Sequence, residues 1–138
     1  MKAFGLQCIS FVAALVIAQD ARSKELFVDT VRGDDSVSYS ANGVDRPWRT
    51  LGRAVWGSTV RTSSVPGQAA QAGDVVIVSS GVYDTNAGTG VRMNPIYNPV
   101  NNGTSGNPIV FRAASPGTVE LRSTGSATGQ PIIGAMDK

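Results

Sequence analysis

Short runs of β-branched and aliphatic residues, set apart by Gly, Asn, Ser and Pro, give this chain its pattern. Leu26-Phe27-Val28, Val75-Val76-Ile77-Val78, Ile109-Val110-Phe111, Val119-Glu120-Leu121 and Ile132-Ile133 are of strand length and bounded by turn-forming residues. In two of them the alternation is legible. Ile109, Phe111 and Ala113 fall opposite Arg112, and Val119 and Leu121 fall opposite Glu120 and Arg122. Each is expected to bury one face and wet the other.

A different period governs Trp48 to Val60. Trp48, Leu51 and Val55 recur at three- and four-residue steps, with Arg49 and Arg53 on another face. Asp45 before Pro47 offers an N-terminal cap with proline in the first turn. One amphipathic helix is expected here, weakened by Gly52 and Gly57 and so dependent on tertiary support. Thr62 to Ala72 reads as a loop, and Thr85 to Gly106, rich in Asn and Gly, is the longest region without a strand pattern.

The start of the chain carries another kind of signal. Met1 and Lys2 precede an apolar run from Ala3 to Ala18, the profile of a signal peptide over residues 1–18 with cleavage between Ala18 and Gln19. A membrane anchor is the competing reading, but the run is short for a bilayer span of about 20 residues. A secreted protein, extracellular or periplasmic, is therefore expected, with no membrane contact after cleavage. Cys8 leaves with the leader, so residues 19–138 must be stabilised by burial rather than by disulfides.

Composition removes further options. Twelve Lys and Arg against ten Asp and Glu give a formal charge of +2, too balanced for a nucleic-acid partner held by phosphate neutralisation. The chain has no His, which excludes a Ser-His-Asp or Cys-His triad, a helical His pair on zinc and a His general base within these residues.

Several short strands suit either a β-sandwich or a coiled β-solenoid. Turns of unequal length, and a lone helix ahead of the main strand series, favour a solenoid whose first coil needs a cover. Three stretches then resemble the N-terminal part of right-handed parallel β-helix proteins of the pectate-lyase-like superfamily. The first is Leu26-Phe27-Val28-Asp29 with Gly33-Asp34-Asp35-Ser36 and Arg46-Pro47-Trp48-Arg49-Thr50-Leu51. The second runs from Gly73-Asp74 through Val75-Val76-Ile77-Val78 to Gly81-Val82-Tyr83, and the third from Gly103-Thr104 through Asn107-Pro108-Ile109 to Ala113.

The resemblance implies an all-β fold. Residues 19–138 would be the N-terminal portion of a right-handed parallel β-helix with one amphipathic capping helix. Only a short tail follows Ile132-Ile133, so the solenoid is expected to be incomplete and inactive by itself. The resemblance also implies polysaccharide as partner, with a lyase of uronate-containing glycans as the leading function. The enzyme reading leaves polysaccharide lyase or glycoside hydrolase open, and the alternative is a non-catalytic carbohydrate-binding, adhesin or tailspike-like β-helix module.

The candidate side chains also have plainer roles. Asp34 and Asp35 beside Ser36 could offer oxygens to calcium, with Asp29 and Asp45 joining them in space, but two adjacent carboxylates better suit a turn. Asp74 and Asp84 flank a strand and could act on a glycosidic bond, although Asp74 fits a turn cap. Arg92, Arg112 and Arg122 could stabilise a uronate carboxylate, while Arg112 and Arg122 also suit a solvent face. Tyr97, Trp48 and Trp56 could meet sugar rings, with both Trp fitting the core. Asn102-Gly103-Thr104 matches a glycosylation acceptor. No catalytic or cofactor-binding residue is assigned, the metal question stays open, and calcium is an expectation only for a longer protein.

Overall fold

The computed structural model describes residues 23–84, 96–122 and 133–134. The proposed leader at 1–18, Cys8 and Arg92 lie outside the described residues. Seven strands occur among those described: β1 (Glu25–Val28), β2 (Val75–Val78), β3 (Gly81–Asp84), β4 (Ile96–Tyr97), β5 (Val110–Ala113), β6 (Val119–Arg122) and β7 (Ile133–Gly134). One α-helix, α1 (Leu51–Trp56), and two single 3-10 turns, Arg61–Ser63 and Pro66–Gln68, lie between β1 and β2.

All strand pairs are parallel. The order β1-β2-β5 makes a three-stranded sheet, and β3-β6 and β4-β7 make two of two strands. Register follows from the alternation. Leu26, Val76 and Phe111 form one inward row, and Val28, Val78 and Ala113 form the next. Glu25, Val75 and Val110 align on the other face, as do Phe27, Ile77 and Arg112. A one-residue slip would turn these apolar rows outward, so burial fixes the register.

The expected all-β, right-handed parallel β-helix is not what the structure shows. The strands form three small sheets of three, two and two strands, with no closed or solenoid sheet among the described residues. The physical reason is visible in the strand lengths. Runs of two to four residues pair with one or two neighbours, while much of the chain between β1 and β2 goes into turns and a helix. The result is a small mixed fold of parallel sheets and one helix.

The helix also departs from expectation. Thr50, with φ −120° and ψ 149°, is its N-cap in place of Asp45, and the Thr50 side chain accepts from the Arg53 amide. Trp48 lies outside it because its backbone is held extended beside Val28 in a parallel bridge. Gly57 ends the helix at φ 69°, where an added Cβ would stand 2.0 Å from the Val65 carbonyl oxygen. All six residues of α1 are buried, Arg53 included, so no wet face remains.

The core runs from Leu26, Val28, Trp48, Leu51 and Ala54 to Val76, Val78 and Tyr83, all at most 4% exposed. Each large side chain removed from water contributes about 1.5–3 kcal/mol. Phe111, Val119 and Leu121 pack on this core from the later strands but stay only partly covered. Burial therefore thins from β1 and β2 to β5 and β6.

Candidate functional site

Asp29, Asp34, Asp35 and Asp74 converge on backbone donors, not on one another. Asp29 accepts from the Val31 and Arg32 amides, each at 2.9 Å, and from Arg32 Nε at 2.9 Å. Burial opposes its ionisation, yet these donors outweigh it and hold the carboxyl below the usual range. Asp34 accepts from the Ser36 amide at 2.8 Å, an Asx turn that lowers its pKa through the Ser36 amide and hydroxyl.

Asp35 has a different task. Its Oδ1 accepts from the Arg49 and Thr50 amides at 2.9 and 3.0 Å, and its Oδ2 accepts from the Thr50 hydroxyl at 2.9 Å. One carboxylate thus fixes the cap residue that starts α1. Asp34 thus forms the expected turn, whereas Asp35 anchors the start of α1, and no group of three metal-ligating side chains occurs among the described residues. Asp45 does not join them.

Asp74 and Asp84 are likewise separated in role. Asp74 is 1% exposed and accepts from the Lys24 amide at 3.1 Å, the Gln71 amide at 2.8 Å and the Tyr39 hydroxyl at 2.8 Å. Burial and this carboxylate raise the Tyr39 pKa well above the ordinary tyrosine value. Lys24 lies over the Tyr39 ring at 4.6 Å and donates to the Tyr39 carbonyl oxygen, completing a knot that ties the entry of β1 to the turn before β2. Asp84 instead faces Arg122 across the β3-β6 pair, Oδ2 to Nε 3.5 Å.

The most densely bonded cation is Arg53. Its Nε donates to the Asp35 carbonyl at 2.9 Å, Nη1 to the Gln68 carbonyl at 2.6 Å, and Nη2 to the Val37 carbonyl at 2.9 Å and Gln68 Oε1 at 3.1 Å. The guanidinium also lies 4.9 Å from the Trp48 ring centre. Burial lowers its pKa while Asp35 counters by charge. Sequence periodicity placed Arg53 on a polar face. The signal it lacks is the wrap of residues 35–37 and 68, which supplies carbonyl acceptors no helical wheel contains.

Asn42 is a second residue that pattern reading passed over. Its Oδ1 accepts from the Phe27 amide at 2.8 Å and its Nδ2 donates to the Phe27 carbonyl at 3.0 Å, so one side chain stands in for a neighbouring strand at the outer edge of β1. Trp48 closes the same edge, its amide donating to the Phe27 carbonyl at 2.8 Å and its carbonyl accepting from the Asp29 amide at 2.8 Å. No primary sequence signal beyond a buried Asn in a turn-rich stretch marks this device.

Trp48 and Trp56 are buried at 0% and 1% exposure, which removes them as sugar platforms and places them in the core. Nothing is described of the Tyr97 side chain beyond its place in β4. Asn102 and Thr104 are exposed, and the neighbouring Asn101 Nδ2 is engaged by the Pro66 and Ala70 carbonyls at 2.8 and 2.9 Å. The exposed charges of the later strands are Arg112, paired with Glu25 at 3.3 Å, and Glu120 and Arg122 on β6. Arg112 and Arg122 stand on different sheets. No family model matches this chain, and no curated protein or solved structure matches it.

Proposed function

We propose that this chain is a non-catalytic part of a secreted protein that acts on acidic polysaccharide, contacting glycan through exposed guanidinium groups. The order of the three motifs that resemble pectate-lyase-like proteins, behind a signal-like first segment, supports the secreted and polysaccharide parts of this reading. One observation favours binding over chemistry. Asp29, Asp34, Asp35 and Asp74 each hold backbone amides, whereas the Arg112 and Arg122 side chains remain 61% and 52% exposed beyond their ion pairs.

Carboxylates so engaged serve poorly as a facing acid and base pair, which glycosidic cleavage requires. A guanidinium with free N–H donors suits a uronate carboxylate, since the planar fork can bind two oxygens at once. Retention of the protein on immobilised polygalacturonate or alginate, without release of unsaturated or reducing-end products, is the expected result. Arg112→Ala should weaken retention. A protein that passes through both matrices as freely as through unmodified agarose would overturn the binding reading, and product formation would return the lyase reading to first place.

A further inference from the structure

The outer strand of the β3-β6 sheet carries a charge pattern complementary to itself. Along β6, Glu120 and Arg122 are exposed on either side of Leu121, which is half-buried and turned toward the core. An apolar groove of about 190 Å³ opens beside it, lined by Leu51, Val78, Phe111, Ala113, Val119 and Leu121, with Arg112 at its border. Among the described residues β3 is the strand partner of β6, and no further strand pairs with its other edge.

We propose that this edge of β6 pairs with β6 of a second copy of the chain, antiparallel, across a two-fold axis at Leu121. In that arrangement Leu121 meets its own counterpart, and Glu120 of each copy stands opposite Arg122 of the other. Directly opposed residues in an antiparallel pair have Cβ atoms about 4.5–5.5 Å apart, within reach of a cross-strand ion pair. A two-fold interface is isologous, so one self-complementary strand is enough to build it.

Arg122 has capacity for this second partner. Its contact with Asp84 is made at 3.5 Å through Nε, and the side chain is 52% exposed. The second outer strand, β5, lacks the same property. A two-fold axis at Phe111 would set Arg112 against Val110, leaving the cation without an opposing carboxylate. The charges therefore select β6 as the self-pairing strand and a second copy as its occupant.

Sedimentation of the full chain, its Glu120→Arg variant and its Arg122→Glu variant tests this directly. The unaltered chain is expected to dimerise. Each variant alone places like charges opposite one another twice across the axis, and its association should weaken about tenfold or more. An equimolar mixture of the two variants restores opposite charges at both positions and should recover the dimer. Thermal unfolding of each variant, with a transition as cooperative as that of the unaltered chain, separates lost pairing from lost folding. A monomeric unaltered chain, variants that associate as strongly as it does, or a mixture no more dimeric than its components would each overturn the proposal.

Discussion

The two outer edges of the three-stranded sheet are finished in opposite ways. At β1, Asn42 and Trp48 occupy the backbone groups of Phe27 and Asp29, and the residues that follow fold back over the helix through Asp35 and Arg53. At β5, Val110 is 38% exposed and Phe111 is only partly covered. An unpaired strand edge is a template for further pairing, and natural sheets blunt such edges by charge, by turns or by cover. Among the described residues the blunting is done on one side alone. One side-chain amide and the extended backbone of Trp48, not a further strand, close the β1 edge.

The largest test of that difference is Arg53→Met. It leaves the Asp35 and Gln68 carbonyls without their donor, while the Val37 carbonyl keeps Trp48 Nε1 at 2.8 Å, and each buried acceptor so orphaned costs about 1–3 kcal/mol. Arg112→Met at the open edge should shift stability by under about 0.5 kcal/mol. Urea unfolding midpoints that fell equally for the two would remove the contrast.

Truncation of the inward row comes next. Leu26→Ala, at 0% exposure, should cost about 2–5 kcal/mol, and Phe111→Ala in the same row clearly less, because its ring already meets solvent. The order of the two thermal midpoints decides the matter. Asn42→Ala should then cost about 1–3 kcal/mol by leaving the Phe27 amide without its acceptor, while the Phe27 carbonyl keeps the Trp48 amide, and should raise self-association by loosening the β1 edge. An unchanged midpoint together with unchanged sedimentation would mean that Asn42 closes nothing.

The smallest effects are expected from pH. The carboxyl of Asp29 is held below its ordinary value of 3.8, so its contribution to stability is present above that value and is lost as pH falls through the lower folded one. Tyr83 has the opposite sign. Burial pushes its hydroxyl from 10.0 up to about 12, so its contribution is present below 10 and is lost as pH rises toward 12. Tyr83→Phe should flatten the alkaline limb alone, and Asp29→Asn the acid limb, with a smaller change on the alkaline side because the Asp29 charge helps to raise Tyr83. A Tyr83→Phe variant that moved the acid limb would contradict these assignments.

Much of the strand framework was legible because parallel strands with covered faces carry β-branched runs. Val75-Val76-Ile77-Val78 reads as strand in any register, and the alternation from Ile109 to Ala113 and from Val119 to Arg122 matches the burial seen there. Other elements were hidden for identifiable reasons. β3 is Gly-Val-Tyr-Asp, with Tyr83 alone fully buried, so it resembles a turn. β4 sits in a stretch whose Asn, Gly and Pro content signals loop.

The architecture was misjudged because a strand run tells which residues are buried but not how many neighbours will pair with it. The candidate acids were legible as turn formers at Asp34 and Asp74. Arg53 and Asn42 were not, since their partners are main-chain atoms that carry no sequence signature.

The Asn42 bracket also bears on the order in which the molecule folds. It links residues only 15 apart in sequence, whereas the first contact tying β1 to the turn before β2, Lys24 with Asp74, spans 50. Closing the shorter loop costs less chain entropy, so β1 acquires a fixed hydrogen-bonding frame before β2 arrives. The frame tells β2 where to land, and β2 in turn sets the frame for β5. Assembly then has a starting point and a direction written into one side-chain amide, and slowed refolding of Asn42→Ala at unchanged unfolding rate is its kinetic signature.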